Sequence, residues 1–243
     1  EIWVPGISWD ISEVFGDEFS EPDPMYDGSL FHVSINGSDN NDGSIDNPFS
    51  SIQFAYDRAD EHDTILVHPG VYNDDIWFYG KNVVLGSLYL STGDTSFISS
   101  TIIDGDSTDC TIAIYGNIDS TCRVTGFTIQ NGIGCVYGQG AGIYVESASP
   151  RLDNLIIKNN IGGTNGGGIC LNGNSNSLID KVVIKNNSAD TGGGLYSFNS
   201  NPVITNSVIQ NNHSNNGAGV FLELCSPNFE NVSEATLCTT VSN

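Results

Sequence analysis

Two short blocks of this sequence return at near-constant intervals, and that periodicity constrains the fold more than any other feature. Gly126-Phe-Thr-Ile-Gln-Asn131 recurs as Leu155-Ile-Ile-Lys-Asn159, Val182-Val-Ile-Lys-Asn186 and Ser207-Val-Ile-Gln-Asn211, at intervals of 28, 27 and 25 residues. Gly140-Ala-Gly-Ile-Tyr144 recurs as Gly166-Gly-Gly-Ile-Cys170, Gly192-Gly-Gly-Leu-Tyr196 and Gly217-Ala-Gly-Val-Phe221, at intervals of 26, 26 and 25. Each block is strand-like, and a unit of this size cannot bury its apolar face alone. The repeat therefore predicts coils that close on themselves and stack, a β-solenoid.

Alternation along the strands assigns the faces. Ile129, Ile157, Ile184 and Ile209 form one inward column, with Phe127, Leu155, Val182 and Ser207 two residues earlier. Two residues later, Asn131, Asn159, Asn186 and Asn211 are expected as a structural amide ladder. Ile143, Ile169, Leu195 and Val220 point inward from the second block, after glycines suited to bends or close backbone approach. Two outward columns are apolar: Thr128, Ile156, Val183 and Val208 in one, Tyr144, Cys170, Tyr196 and Phe221 in the other. A stripe of this kind calls for a cover. Sugar rings stacking on the aromatics, a neighbouring subunit, or the first thirty residues with Trp3 and Trp9 would each supply one.

Upstream of the repeats, Ile52, Ala55, Tyr56 and Ala59 follow helical spacing after Ser50 or Ser51 as N-cap. A short helix there would seal the end of the solenoid. No comparable cap is evident after Phe221, so the last coil is expected to present an edge. The 243 residues carry 7 Lys and Arg against 29 Asp and Glu, a net charge of −22. That balance excludes nucleic acid and anionic membranes as electrostatic partners and favours cations. No apolar run is long enough to span a bilayer. Beginning at Glu1 without Met, the sequence reads as a processed form or a segment of a longer chain.

Six cysteines without metal-ligand spacing favour disulfides and an oxidising, extracellular or cell-surface location. Cys110 with Cys122 and Cys225 with Cys238 are the locally reachable pairs among the possible pairings. Four sequons occur. Asn36, Asn212 and Asn231 fall in turns suited to a glycan, whereas Asn186 is assigned to the inward ladder and so makes a poor acceptor.

Four ordered motifs at the start, Phe31-His-Val-Ser-Ile-Asn-Gly-Ser-Asp-Asn-Asn-Asp-Gly-Ser44, Asn47-Pro-Phe-Ser-Ser-Ile-Gln53, Asp63-Thr-Ile-Leu-Val-His-Pro-Gly-Val-Tyr72 and Ser100-Thr-Ile-Ile-Asp-Gly105, resemble the opening of secreted proteins of the right-handed parallel β-helix, pectin-lyase-like superfamily. The resemblance extends over about residues 31–232. It implies an all-β fold: a right-handed parallel β-helix of about seven coils of roughly 26 residues, roughly 34 Å long, with a short N-terminal capping helix. The expected organisation is an arm or linker over residues 1–30 and a β-helix over 31–243, with the cap at 31–62 and coils from 63. The superfamily includes polysaccharide lyases, glycoside hydrolases, adhesins and surface proteins without known activity, so fold alone leaves function open.

Its lyases pair an Arg or Lys base with Ca²⁺ held by carboxylates. Asp153, Asp180, Lys158 and Lys185 align on what reads as one outer face and are the candidate catalytic set; charges spaced along a solvated sheet are the alternative. Two inverting carboxylates would need more room than adjacent coils give Asp153 and Asp180. Asp104, Asp106 and Asp109 in one loop, and Asp39 and Asp42 in another, gather oxygen ligands for calcium or serve as turn formers. His32, His62, His68 and His213 are scattered. The reading these features favour is a non-catalytic extracellular structural module, requiring no cofactor. It binds carbohydrate or another surface protein and assembles end to end, with a Ca²⁺-dependent lyase or hydrolase and an adhesin fragment as alternatives.

Overall fold

The computed structural model describes residues 29–107 and 109–233 and the backbone of 237–240. Two parallel sheets, of 12 and 7 strands, wind about one core with the strands in register, and the larger bends into two faces. The first face stacks β1 (Leu30–Val33), β2 (Thr64–Val67), β5 (Val84–Ser87), β8 (Arg123–Thr125), the first halves of β11 (Arg151–Lys158) and β13 (Leu178–Lys185), β15 (Val203–Thr205) and β18 (Asn228–Glu230). The second stacks β3 (Gly70–Tyr72), β6 (Thr101–Asp104), β9 (Thr128–Gln130), the second halves of β11 and β13, and β16 (Val208–Gln210). The third stacks β4 (Ile76–Tyr79), β7 (Ile112–Tyr115), β10 (Ile143–Glu146), β12 (Ile169–Asn172), β14 (Leu195–Phe198), β17 (Val220–Glu223) and β19 (Leu237–Thr240). The chain makes about six complete turns, and β18 and β19 open a seventh.

Register follows from repetition of side-chain type. Ile129, Ile157, Ile184 and Ile209 pair rung to rung and are fully buried, as are Ile143, Ile169, Leu195 and Val220. Burying each stabilises the coil by about 1.5–3 kcal/mol, and a slip of one residue would turn the column to solvent. The corners are set by left-handed residues. Between the first and second faces stand Gly126, Asn154, Lys181, Asn206 and Asn231; after the second face come Asn131, Asn159, Asn186 and Asn211. Asn tolerates this conformation because its short amide bonds locally. Gly166 enters the third face at φ 68°, where a Cβ would collide with the Cys170 side chain.

These corner asparagines correct the expected ladder by one residue. Asn159, Asn186 and Asn211 are exposed, and the inward amides are the next residues, Asn160, Asn187 and Asn212. Asn187 Nδ2 donates to Ile157 O at 3.0 Å, while its Oδ1 accepts from Asn160 N and Nδ2 at 3.0 and 2.9 Å. Asn212 Oδ1 accepts from Asn187 N at 2.9 Å, and Asn212 Nδ2 donates to Ile184 O at 3.0 Å. A left-handed residue reverses the chain, so the residue after it, not the turn residue itself, returns to the interior.

The opening end is sealed. Helix α1 (Ile52–Arg58) is capped by Ser51, whose hydroxyl accepts from Phe54 N, and buries Ile52, Ala55 and Tyr56. Its side chains replace a strand along the edge of β4: Gln53 Oε1 accepts from Trp77 N at 2.7 Å and Tyr56 Oη from Tyr79 N at 2.8 Å. The edge of β1 is closed by the loop that follows it, through His32 N to Gly43 O and Ser34 N to Phe49 O. The outer edges of β1 and β4 are thus occupied by the chain itself.

Two further short helices, α2 (Tyr89–Thr92) and α3 (Ser96–Ser100), interrupt the second turn, between β5 and β6. Ile98 of α3, with Tyr89 of α2, packs on Ile156, Val183 and Val208. The outward apolar column of the second face is thus covered by an insertion of the chain itself. Trp3 and Trp9, in the expected arm, lie outside the described residues.

The disulfide is Cys110–Cys135, not Cys110–Cys122. Cys122 faces the core as a free thiol that burial pushes up to about 12, which makes it inert. Cys225 is likewise free, its Sγ 3.2 Å from Ser197 O, and the side chain of Cys238, its expected partner, lies outside the described residues.

Candidate functional site

Alternation on β4 sends Ile76 and Phe78 into the core and Trp77 and Tyr79 outward. Tyr79 pairs with Tyr115 of β7, and the Trp77, Tyr79 and Tyr115 rings lie within 13° of parallel at centroid separations of 5.3–6.2 Å. Tyr144 continues the row with a tilt, 5.6 Å from Tyr115. Farther along the same face Tyr196 and Phe221 stack at 5.7 Å, and Tyr196 Oη bonds to Glu223 Oε2 at 2.9 Å. Tyr79 is 59% exposed, whereas Tyr144 and Tyr196 are buried.

The two buried rings belong to a cluster that also holds the disulfide. Cys110 and Cys135 pack with Ala113, Tyr144, Cys170 and Tyr196 in a second apolar cluster outside the barrel of coils. Burial raises Tyr144 to about 12 and shifts Tyr115, Tyr196 and the Cys170 thiol upward too. Of the expected surface aromatics, Phe221 is partly exposed, and among the rings on the third-face strands Tyr79 is the most open. Trp77, Tyr79 and Tyr115 stand on rungs before residue 126, where the recognisable repeat begins, so no recurring block marks them in the sequence.

The charged candidates divide between two faces. Asp153 and Asp180 pair in register on the first face, while Lys158 and Lys185 stand on the second, beyond the left-handed corner at Asn154 and Lys181. The four residues therefore do not form one site. Asp153 is fully buried. Its Oδ1 accepts from Arg123 Nε at 2.7 Å, and its Oδ2 from Arg123 Nη2 at 2.7 Å, Thr125 Oγ1 at 2.8 Å and Asn154 Nδ2 at 2.6 Å. Arg151 Nε lies 2.9 Å from Oδ1, an ion pair by distance, although its N–H makes no hydrogen bond. Burial alone would push this carboxyl up, but the Arg123 hydrogen bonds and the charges of Arg123 and Arg151 outweigh it and hold it below the usual carboxylate range. Asp180 is half-buried and accepts from Thr205 Oγ1 at 2.6 Å and Asn206 Nδ2 at 2.9 Å.

The two acidic loops spend carboxylates on their own turns. Asp39 Oδ1 accepts from Ser50 N, Ser50 Oγ and Ser51 N, and Asp42 Oδ1 from Ser44 N. Asp104 Oδ2 accepts from Gln130 and Asn131, Asp104 Oδ1 from Asp106 N, and Asp109 Oδ1 from Cys110 N. Among the described residues, the one convergent group of metal-ligating types is Asp109, Cys110 and Cys135, and its two sulfurs are joined in the disulfide. His32 and His68, far apart in sequence, meet at 3.1 Å; burial lowers both, and the neighbouring imidazole lowers His32 further. Asn36 and Asn231 are exposed, whereas Asn212 is a member of the ladder. Among the described residues, no helix is long and apolar enough to cross a membrane.

A family model described as "Right handed beta helix region" matches residues 86–241. No curated protein sequence matches the chain. Among solved structures, a pectin methylesterase in complex with a hexasaccharide is similar at 12% identity and TM-score 0.44, over 86% of this chain and 67% of that one. A mutant pectin methylesterase, also in complex with a hexasaccharide, is similar at 14% identity and TM-score 0.46, with the same coverage. The lacto-N-biosidase of Eubacterium ramulus is similar at 18% identity and TM-score 0.33, over 86% of this chain and 34% of that one.

Proposed function

The chain belongs to the right-handed β-helix family, and from that premise we propose a non-catalytic, extracellular module that holds uncharged carbohydrate against the aromatic outer surface of its third face. The observation that carries the reading is the near-parallel set Trp77, Tyr79 and Tyr115 on the first two rungs, with Tyr79 open to solvent. Aromatic rings supply large, rigid apolar area at low conformational cost, and Glu146 and Asn172 stand on the same outward column to meet hydroxyl groups. A net charge of −22 repels polyuronates and sulfated glycans, which leaves neutral polysaccharide as the partner class. The disulfide agrees with an oxidising location. Calcium is not required by this reading.

Affinity electrophoresis against neutral glucans, mannans and galactans tests the proposal. Retardation by at least one of these, weakened about tenfold by Tyr79→Ala or Trp77→Ala and unchanged by Lys158→Ala, is expected. Binding that survives both aromatic substitutions would place the partner elsewhere.

A second reading rests on Asp153 and Asp180 in register. Rungs about 4.8 Å apart approach the carboxylate separation of about 5–5.5 Å used by retaining glycosidases, and one carboxyl is held anionic while its neighbour is partly open. Full burial of Asp153 under four hydrogen-bond donations argues for a structural clamp instead. Glycan turnover abolished by Asp180→Asn would reverse that preference.

A further inference from the structure

The corner after the second face places two sequons of successive coils in opposite environments. Asn186-Asn187-Ser188 begins on the left-handed residue itself: Asn186, at φ 56°, is exposed on the outer bend, and its side chain makes no hydrogen bond among the described residues. Asn212-His213-Ser214 begins on the inward residue of the next coil. The Asn212 amide nitrogen donates to Ile184 O at 3.0 Å, and its oxygen accepts two bonds from Asn187. The first amide nitrogen has solvent on its free side; the second is part of the core lattice.

We propose that Asn186 is a glycan acceptor and that Asn212 is not, the reverse of what sequence parity suggests. The donor class is a lipid-linked oligosaccharide. Asn186 Nδ2 forms a bond to the anomeric carbon, the bond from that carbon to the lipid pyrophosphate breaks, the pyrophosphate leaves with the electron pair, and the amide loses one proton. A glycan there projects from the bend without displacing an interior contact. On Asn212 it would set a sugar on an amide whose nitrogen and oxygen are both bonded into the ladder and force the coil apart, so a chain modified there does not reach the native fold.

Neighbouring corners set the limits of the argument. Asn159 and Asn211 share the exposed left-handed position but lack the hydroxyl residue two places on, and Asn36, in an exposed turn, serves as the internal comparison.

Secretion of the full chain from a glycosylating insect or mammalian cell, followed by glycopeptide mapping, tests this. Glycan on Asn186 in the folded product, absent from Asn212, is the expected result. Ser188→Ala should remove one glycan's mass while leaving the melting temperature within about 2 °C, and Asn212→Gln should lower melting without changing glycan mass. An empty Asn186, whether Asn36 is occupied or not, overturns the proposal, as does a folded product carrying glycan on Asn212. If secretion fails, glycosylation of nascent chains in microsomes followed by protease resistance provides the second measurement: resistant chains glycosylated on Asn212 but not Asn186 would overturn it equally.

Discussion

At the scale of single residues, a one-position difference separates structural from peripheral amides. Asn187 hydrogen-bonds to the rungs on either side of its own, so Asn187→Ala leaves Asn160 N and Ile157 O without these partners, removes one of the two bonds to Asn212 Oδ1, and should cost about 3 kcal/mol in urea unfolding. Asn186→Ala, one residue away, removes no hydrogen bond and should change stability by under about 1 kcal/mol, the small loss reflecting Ala at positive φ. Equal effects would refute the assignment. The sequence made an asparagine ladder evident but not its register, because Asn-Asn pairs at 159–160, 186–187 and 211–212 satisfy either choice. Strict alternation picks the wrong member, since it does not know that the first of the pair adopts a left-handed turn. Asp153 makes a second case. Arg123→Ala leaves its buried carboxylate short of two hydrogen bonds and should cost about 3–5 kcal/mol at neutral pH. Because the folded value is depressed, this carboxylate's contribution is fully present above about pH 4, the unfolded value, and is lost as pH falls through the lower folded one. Stability measured from pH 5 down to pH 2 should therefore fall less steeply in Asp153→Asn than in the parent.

At the scale of elements, what was legible depended on whether an element obeys the repeat or its own local rules. Helix α1 carries both signals a sequence can give, a serine cap and apolar spacing, and it forms where expected. The pair α2 and α3 carries neither: each is one turn long, and neither has a side-chain cap. Its trace lies in the spacing. Val84 pairs with Arg123, 39 residues onward, where later coils take 25 to 28, so roughly a dozen residues are inserted. That insertion answers what covers Ile156, Val183 and Val208. Ile98→Ala should cost about 2–4 kcal/mol by leaving a cavity over these side chains. No loss of stability, or an unchanged hydrogen exchange rate across β11 and β13, would mean the helices are not the cover. The candidate surface was half legible for a similar reason. Tyr144 and Tyr196 stand outside the core as alternation requires, but both are buried in a second apolar cluster that includes the Cys110–Cys135 disulfide, and long-range covalent pairing is not written in local alternation.

At the scale of the whole molecule, stability is a sum over rungs, and each rung depends chiefly on its two neighbours. Calcium has no convergent carboxylate triad to bind among the described residues, so chelation should leave the melting temperature unchanged within about 1 °C, while a rise of several degrees on adding calcium would restore a metal role. The disulfide acts differently, because Cys110 and Cys135 are separated by 25 residues, one full coil. It turns that coil into a closed ring through which both chain ends leave. Stretched between its termini in an optical trap, the molecule should peel from the ends, and the ring should remain out of the extended thread. At about 3.3–3.6 Å per residue, the oxidised chain's contour would fall short of the reduced chain's by roughly 85 Å, a missing length that measures a single winding of the solenoid.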